Sequence, residues 1–100
     1  MDKAYILSYL SGLKPDLDRI GIEKIGLFGS FAKGTADLYS DVDIVIKTTP
    51  KFVKNFDGVQ GFLFLEELRT NMEKKFQRHV DICDEAGLKH MYTIKDALYA

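Results

Sequence analysis

Two apolar runs flank a short polar stretch near the middle of the chain, and together they confine the fold to a small set. The first, Ile25 to Phe28, leads directly into Gly29-Ser30-Phe31-Ala32-Lys33-Gly34. The second follows Ser40-Asp41 and reads Val42-Asp43-Ile44-Val45-Ile46, β-branched at every position but the acid. Such a run is a strand by preference. An apolar run ending in Gly-Ser reads as a strand that closes in a tight turn from which a short helix starts. Glycine at that corner lets backbone approach a ligand closely. Ser30 is expected to cap the new helix with its hydroxyl, leaving first-turn N–H groups and the positive helix end facing outward, where a phosphate oxygen would bind. Gly34 is the expected stop.

Asp41 and Asp43, two apart on a strand, share one face. With a rise of roughly 3.3 Å per residue their Cα atoms lie about 6.6 Å apart, and two anions on a partly buried face need a cation to offset their repulsion. Hard oxygen ligands favour Mg²⁺ or Mn²⁺ over zinc. A later stretch, Gln77 to Cys83, reads as another strand, in which Val80 and Ile82 point to the core and Asp81 points the other way. Beside the Asp41-Asp43 strand, Asp81 would complete a cluster of three carboxylates; elsewhere it would be a surface residue at a sheet edge.

The Gly29-Ser30 turn, the Asp41-Val42-Asp43 pair entering an apolar strand, and the third acid in Val80-Asp81-Ile82 resemble the nucleotidyltransferase signature of the DNA polymerase beta superfamily. The nearest likeness is to its minimal (MNT) branch, which often reads Gly-Ser-x-Ala-Arg-Gly; Lys33 and Phe31 stand here where arginine is frequent. The resemblance spans nearly the whole chain. It implies an α/β nucleotidyltransferase fold, similar to the polymerase beta palm, with a short mixed sheet and helices mainly on one face. It further implies catalytic, metal-binding roles for Asp41, Asp43 and Asp81 with two Mg²⁺ ions, and a nucleotide-binding role for Gly29, Ser30 and Lys33. The implied reaction moves AMP from ATP to a hydroxyl and releases pyrophosphate. Members of the branch commonly accompany a HEPN-domain RNase toxin, so the resemblance implies an antitoxin that AMPylates a tyrosine of that toxin, with a hetero-oligomer as a possible form. Two alternatives stay open: an antitoxin that neutralises by binding alone, and a transferase acting on a small molecule such as an aminoglycoside.

Length and charge set the remaining bounds. A chain of 100 residues, 46% hydrophobic, is expected to form one domain over 1–100, too short for a polymerase with separate fingers and thumb. A net charge of −1 with no Lys/Arg cluster disfavours extended nucleic acid as a partner. No apolar run approaches a membrane span and the amino terminus lacks a signal-peptide pattern, so no membrane partner is expected. The single Cys83 has no internal disulfide partner, and a reducing cytoplasm fits. A P-loop is excluded because Lys33 precedes Gly34 where that loop needs Gly-Lys-Ser/Thr. An EF-hand is excluded because Val45 and Ile46 occupy positions where a ligand and a glycine are required. His79, His90 and Cys83 lack metal-ligand spacing to one another and read as structural or solvated. There is no hydrolase triad signature.

Around the motif, Ile6, Leu10, Leu13, Leu17 and Ile20 predict an amino-terminal helical face with Tyr5 and Tyr9 beside it, interrupted before Pro15 and ended by Gly21. The stretch from Thr48 to Gly61 reads as a loop with one short helical turn, able to lie over the site, with Lys51 and Lys54 within it and Lys47 just before it solvated. Leu65, Leu68, Met72 and Phe76 predict a helix from Phe62 to Phe76. Asp84 to Gly87 reads as a turn, and Leu88, Met91, Ile94 and Leu98 suggest a last helix.

Overall fold

A computed structural model describes residues 1–87 and 97–100. Helix α1 spans Lys3–Ile20, strand β1 Ile22–Phe28, helix α2 Gly29–Lys33 and strand β2 Val42–Thr48. Helix α3 covers Pro50–Asn55, helix α4 Gly58–Phe76, strand β3 Val80–Asp84 and strand β4 Leu98–Tyr99. The strands form one mixed sheet in the order β3-β2-β1-β4. β1 runs antiparallel to β2 and to β4, while β2 and β3 are parallel. β3 is thus the outermost strand on its side.

Helices cover one face. Val42, Ile44 and Ile46, alternate residues of β2, share a single buried cluster with Ile6, Leu10 and Leu17 of α1, Phe31 of α2, Phe52 of α3 and Leu68, Met72 and Phe76 of α4. By the pleat, Asp43 points to the opposite face. Among the described residues no helix is long and apolar enough to cross a membrane.

α1 is unbroken through Pro15, contrary to the split expected from its missing N–H. Pro15 lies on the exposed side, where water can satisfy the freed carbonyl, and burial of Ile6, Leu10 and Leu17 holds both halves to the same core. Its ends are well defined: the Asp2 carboxylate accepts from the Tyr5 N–H at 3.0 Å, and Gly21 closes the helix at φ 99°. Tyr9 is half-buried and Tyr5 exposed, both edge-on to Phe76.

The stretch after β2 is mostly helical rather than a loop. Pro50 at the first turn of α3 and Asp57, whose carboxylate accepts from Gln60 N–H at the start of α4, are both helix-starting signals. Thr49 donates from its N–H and hydroxyl to the Gly21 carbonyl, at 2.9 and 2.6 Å. This ties α3 to the Ile22/Thr48 end of the β1–β2 pair, whereas Asp43 pairs with Phe28 at the other end. α3 therefore does not lie over the acids. Lys47 faces Glu23 at 3.3 Å across the surface.

Asp84 ends β3 and its carboxylate accepts from the Ala86 N–H at 2.9 Å, with 85–87 helical rather than a turn. The helix expected over Leu88, Met91 and Ile94 lies outside the described residues, but Leu98, assigned to it, is in a strand. Tyr99 donates to Glu85 at 2.8 Å. Burial and that bond push the Tyr99 phenol up to about 12.

Candidate active site

Two strands bring the acids together. In the parallel β2–β3 register Asp43 is the direct partner of Asp81, so neighbouring strands about 4.8 Å apart present both carboxylates on the same face. Asp41 sits one residue before β2 and turns its carboxylate to the same group. The Asp41 and Asp81 carboxylates converge within 4.8 Å of one another, and Asp43, the strand partner of Asp81, lies beside them, near enough for both charges to act on it. Asp81 is at a sheet edge and also next to the first pair.

A fourth side chain joins them. His79 Nδ1 lies 3.6 Å from Asp41 Oδ2 and 3.8 Å from Asp81 Oδ1, and Asp41, His79 and Asp81 form a group with the spacing to hold a metal ion. The side chain is exposed, in keeping with the solvated reading, but it stands beside two carboxylates that spacing to His90 and Cys83 does not reveal. Its partners are carboxylates, and one signal was available: His79 is two residues before Asp81, hence on the same side of an extended chain. The His79 carbonyl accepts the Val42 N–H at 2.9 Å, which fixes its backbone to the start of β2.

Electrostatics reflect the crowding. The Asp43 carboxyl is held above its ordinary range, first by burial, then by the charges of Asp81 and Asp41, with His79 opposing. Cys83, two residues beyond Asp81, is pushed up by burial and by Asp81 and Asp43. An anionic centre of this kind, open to solvent and built of hard oxygens plus one imidazole, fits a divalent cation.

The glycine turn abuts the same centre. Gly29 has φ 73°, and a Cβ there would lie 2.2 Å from Asp43 Oδ2. Only glycine both adopts that conformation without strain and leaves room for the carboxylate. Ser30, however, is not the cap. With Gly29 already turning the chain, α2 begins at Gly29, the flanking position is Phe28, and no side chain caps the helix. Ser30 instead offers its carbonyl to the Thr35 N–H at 2.9 Å. Gly34, at φ 77°, ends α2 as expected. Lys33 is exposed in the last turn of α2 and makes no ion pair with the acids among the described residues.

Arg78 is a further residue that sequence reading missed. Its Nη1 donates to the carbonyls of Asp37 and Ser40 at 2.8 and 3.0 Å, and its guanidinium lies 5.0 Å from the centre of the Phe31 ring. It thereby joins the entry to β3, the α2 helix and the connection that delivers Asp41. Because its partners are backbone carbonyls, no pattern of residue types announces them. Arg78 also borders a cavity of about 570 Å³ lined by Phe31, Leu38 and the first residues of α1, and by none of the three acids.

A mixed sheet that sets a glycine turn against converging carboxylates defines a class of nucleotide-handling proteins, and comparison of the sequence with known proteins makes the class specific. The profile of the family described as "Nucleotidyltransferase domain" matches residues 7–99, and the chain belongs to that family. Among its relatives is "Protein adenylyltransferase MntA" of Thermococcus cleftensis, 33% identical over 85 residues, which cover 84% of this chain and 78% of that protein. No solved structure matches the chain significantly. The fold and the minimal nucleotidyltransferase likeness expected from Gly29-Ser30 and Asp41-Val42-Asp43 are thus met.

Proposed function

We propose that the protein is an Mg²⁺-dependent protein adenylyltransferase that transfers AMP from ATP to a hydroxyl of a partner protein, and that it acts as the antitoxin of a HEPN-type toxin whose tyrosine is the acceptor. The single observation that carries the transferase reading is the side-by-side register of Asp43 and Asp81, with the Asp41 carboxylate converging on Asp81. The protein acceptor follows from the name of the Thermococcus relative. A cytoplasmic, single-domain protein working in a hetero-oligomer belongs with the same reading.

The chain's residues divide the work. Asp41, Asp43 and Asp81 would hold two Mg²⁺ ions, which when bound offset triphosphate charge and make the acceptor hydroxyl more acidic. The first-turn N–H groups of α2, uncapped by any side chain, receive phosphate oxygens at the Gly29-Ser30 turn. Lys33 adds positive charge near the phosphate tail. Asp81 accepts the proton of the attacking hydroxyl. The new bond forms between that oxygen and the α-phosphorus, the α–β bridging bond breaks, and pyrophosphate leaves. Asp43, held against Gly29, keeps the nucleotide turn and the acids in fixed relation, which is the positioning contribution to catalysis.

The test is direct. The protein, labelled ATP, Mg²⁺ and the neighbouring gene's product are incubated, and the label is followed onto tyrosine. Transfer that Asp41→Asn abolishes supports the proposal. Full neutralisation of the toxin by Asp41→Asn, with no label transferred by the wild type, overturns it in favour of binding alone.

A further inference from the structure

We infer that His79 supplies a nitrogen ligand to the cation held by Asp41 and Asp81, so that this centre prefers a first-row transition dication such as Mn²⁺ over Mg²⁺. The inference rests on the metal-dependent reading above and specifies which ion the site takes.

Three features of the site support it. First, the separations of 3.6 and 3.8 Å from Nδ1 to the two carboxylate oxygens exceed hydrogen-bond length, about 2.7–3.2 Å. They are also shorter than twice a metal–ligand bond of about 2.0–2.2 Å, so one ion between the atoms can touch both members of each pair. Second, access is open: the side chains of His79, Asp41 and Asp81 are 56%, 52% and 51% exposed. Third, the imidazole is presented by fixed backbone. The His79 carbonyl is hydrogen-bonded to Val42, and Asp81 follows two residues later in β3, so ring and carboxylate leave the same face of the sheet.

Ligand chemistry then selects the ion. Mg²⁺ takes oxygen ligands in a strict octahedron and gives up its waters reluctantly, so an added imidazole helps it little. Transition dications accept imidazole readily, with affinity rising from Mn²⁺ along the row. Three carboxylates alone would not separate Mn²⁺ from Mg²⁺ in this way.

Mn²⁺ is the probe, added without nucleotide to the full chain. Its binding is followed by loss of the free-ion electron paramagnetic resonance signal, with Mg²⁺ as competitor, and pulsed measurements look for ¹⁴N coupling to bound Mn²⁺. The expected result is a ¹⁴N coupling in the wild type that His79→Ala removes. The same substitution should weaken Mn²⁺ about tenfold while Mg²⁺ changes less than about twofold. Absence of the coupling, or an unchanged Mn²⁺/Mg²⁺ ratio in His79→Ala, overturns the inference. If Asp43→Asn still abolishes Mn²⁺ binding in that case, the transferase reading stands without it. Mn²⁺ binding that is undetectable, or that survives Asp41→Asn, Asp43→Asn and Asp81→Asn alike, removes both.

Discussion

A single pair of residues, Gly29 and Asp43, joins the nucleotide turn to the acids. Gly29→Ala would force a Cβ against the Asp43 carboxylate at a positive φ, costing about 1–3 kcal/mol locally. Because the clash falls on Asp43, adenylyl transfer should drop at least about 100-fold while the variant stays folded, as circular dichroism and a transfer assay on the same sample would show. Asp43 itself carries a pH signature. Its folded pKa is raised above 3.8, chiefly by burial and then by Asp81 and Asp41. The ionised form therefore costs stability that is absent below pH 3.8 and grows as pH rises through the folded value. In cation-free buffer, Asp43→Asn should melt higher than wild type at neutral pH. The gap should close on acidification below 3.8 and on adding a divalent cation to the wild type, read from melting curves at several pH values. At this scale the three aspartates were legible because each sits in its own β-branched or apolar context. His79 and Arg78 were not, since each takes its meaning from partners across the chain. Ser30 was misread because the helix starts at Gly29, two positions earlier than a Ser30 cap would require.

Among elements, those with a strong period were legible and those defined by end signals were not. The apolar stripes of α1 and α4 and the runs of β1 and β2 all matched helices and strands near their expected places. The Pro50 and Asp57 signals that make α3 and extend α4 back to Gly58 were outweighed by the glycines and scattered phenylalanines around them. Proline in α1 was given too much weight. On an exposed face it removes one hydrogen bond and crowds the preceding turn, but the buried stripe outweighs that local loss. Pro15→Ala should consequently stabilise the protein by about 1–2 kcal/mol, the helix gain being partly offset by a looser unfolded chain. Denaturant midpoints with unchanged slopes would check it. The entry to β3 is fixed by Glu73, whose carboxylate accepts from the Val80 N–H at 2.9 Å and pairs with Arg69 at 2.9 Å. The Val80 bond first, and Arg69 after it, hold that carboxyl below its ordinary range despite an opposing contribution from desolvation.

For the whole molecule, the sheet separates what keeps the chain folded from what the proposed chemistry uses. Among the described residues the main buried cluster lies with α1 to α4 on one face; Asp43, Asp81 and His79 lie on the other at one end, the side to which the buried Val45 also points. Met72, fully buried on the inner face of α4, belongs to the first set. Met72→Ala should cost about 2–4 kcal/mol, a large share of a typical domain's 5–15 kcal/mol, yet leave Mn²⁺ affinity at low temperature within about twofold. Calorimetry and a metal titration on the same variant would measure both. The outermost position of β3 has a further consequence. A slip of one residue along β2 would bring Val80 or Ile82 opposite Asp43 and turn Asp81 toward the helices. A chain with native helix content and an almost unchanged sheet could therefore be catalytically silent. Bulk measures of folding would not detect the difference, and the alignment of one boundary strand would decide between the two states.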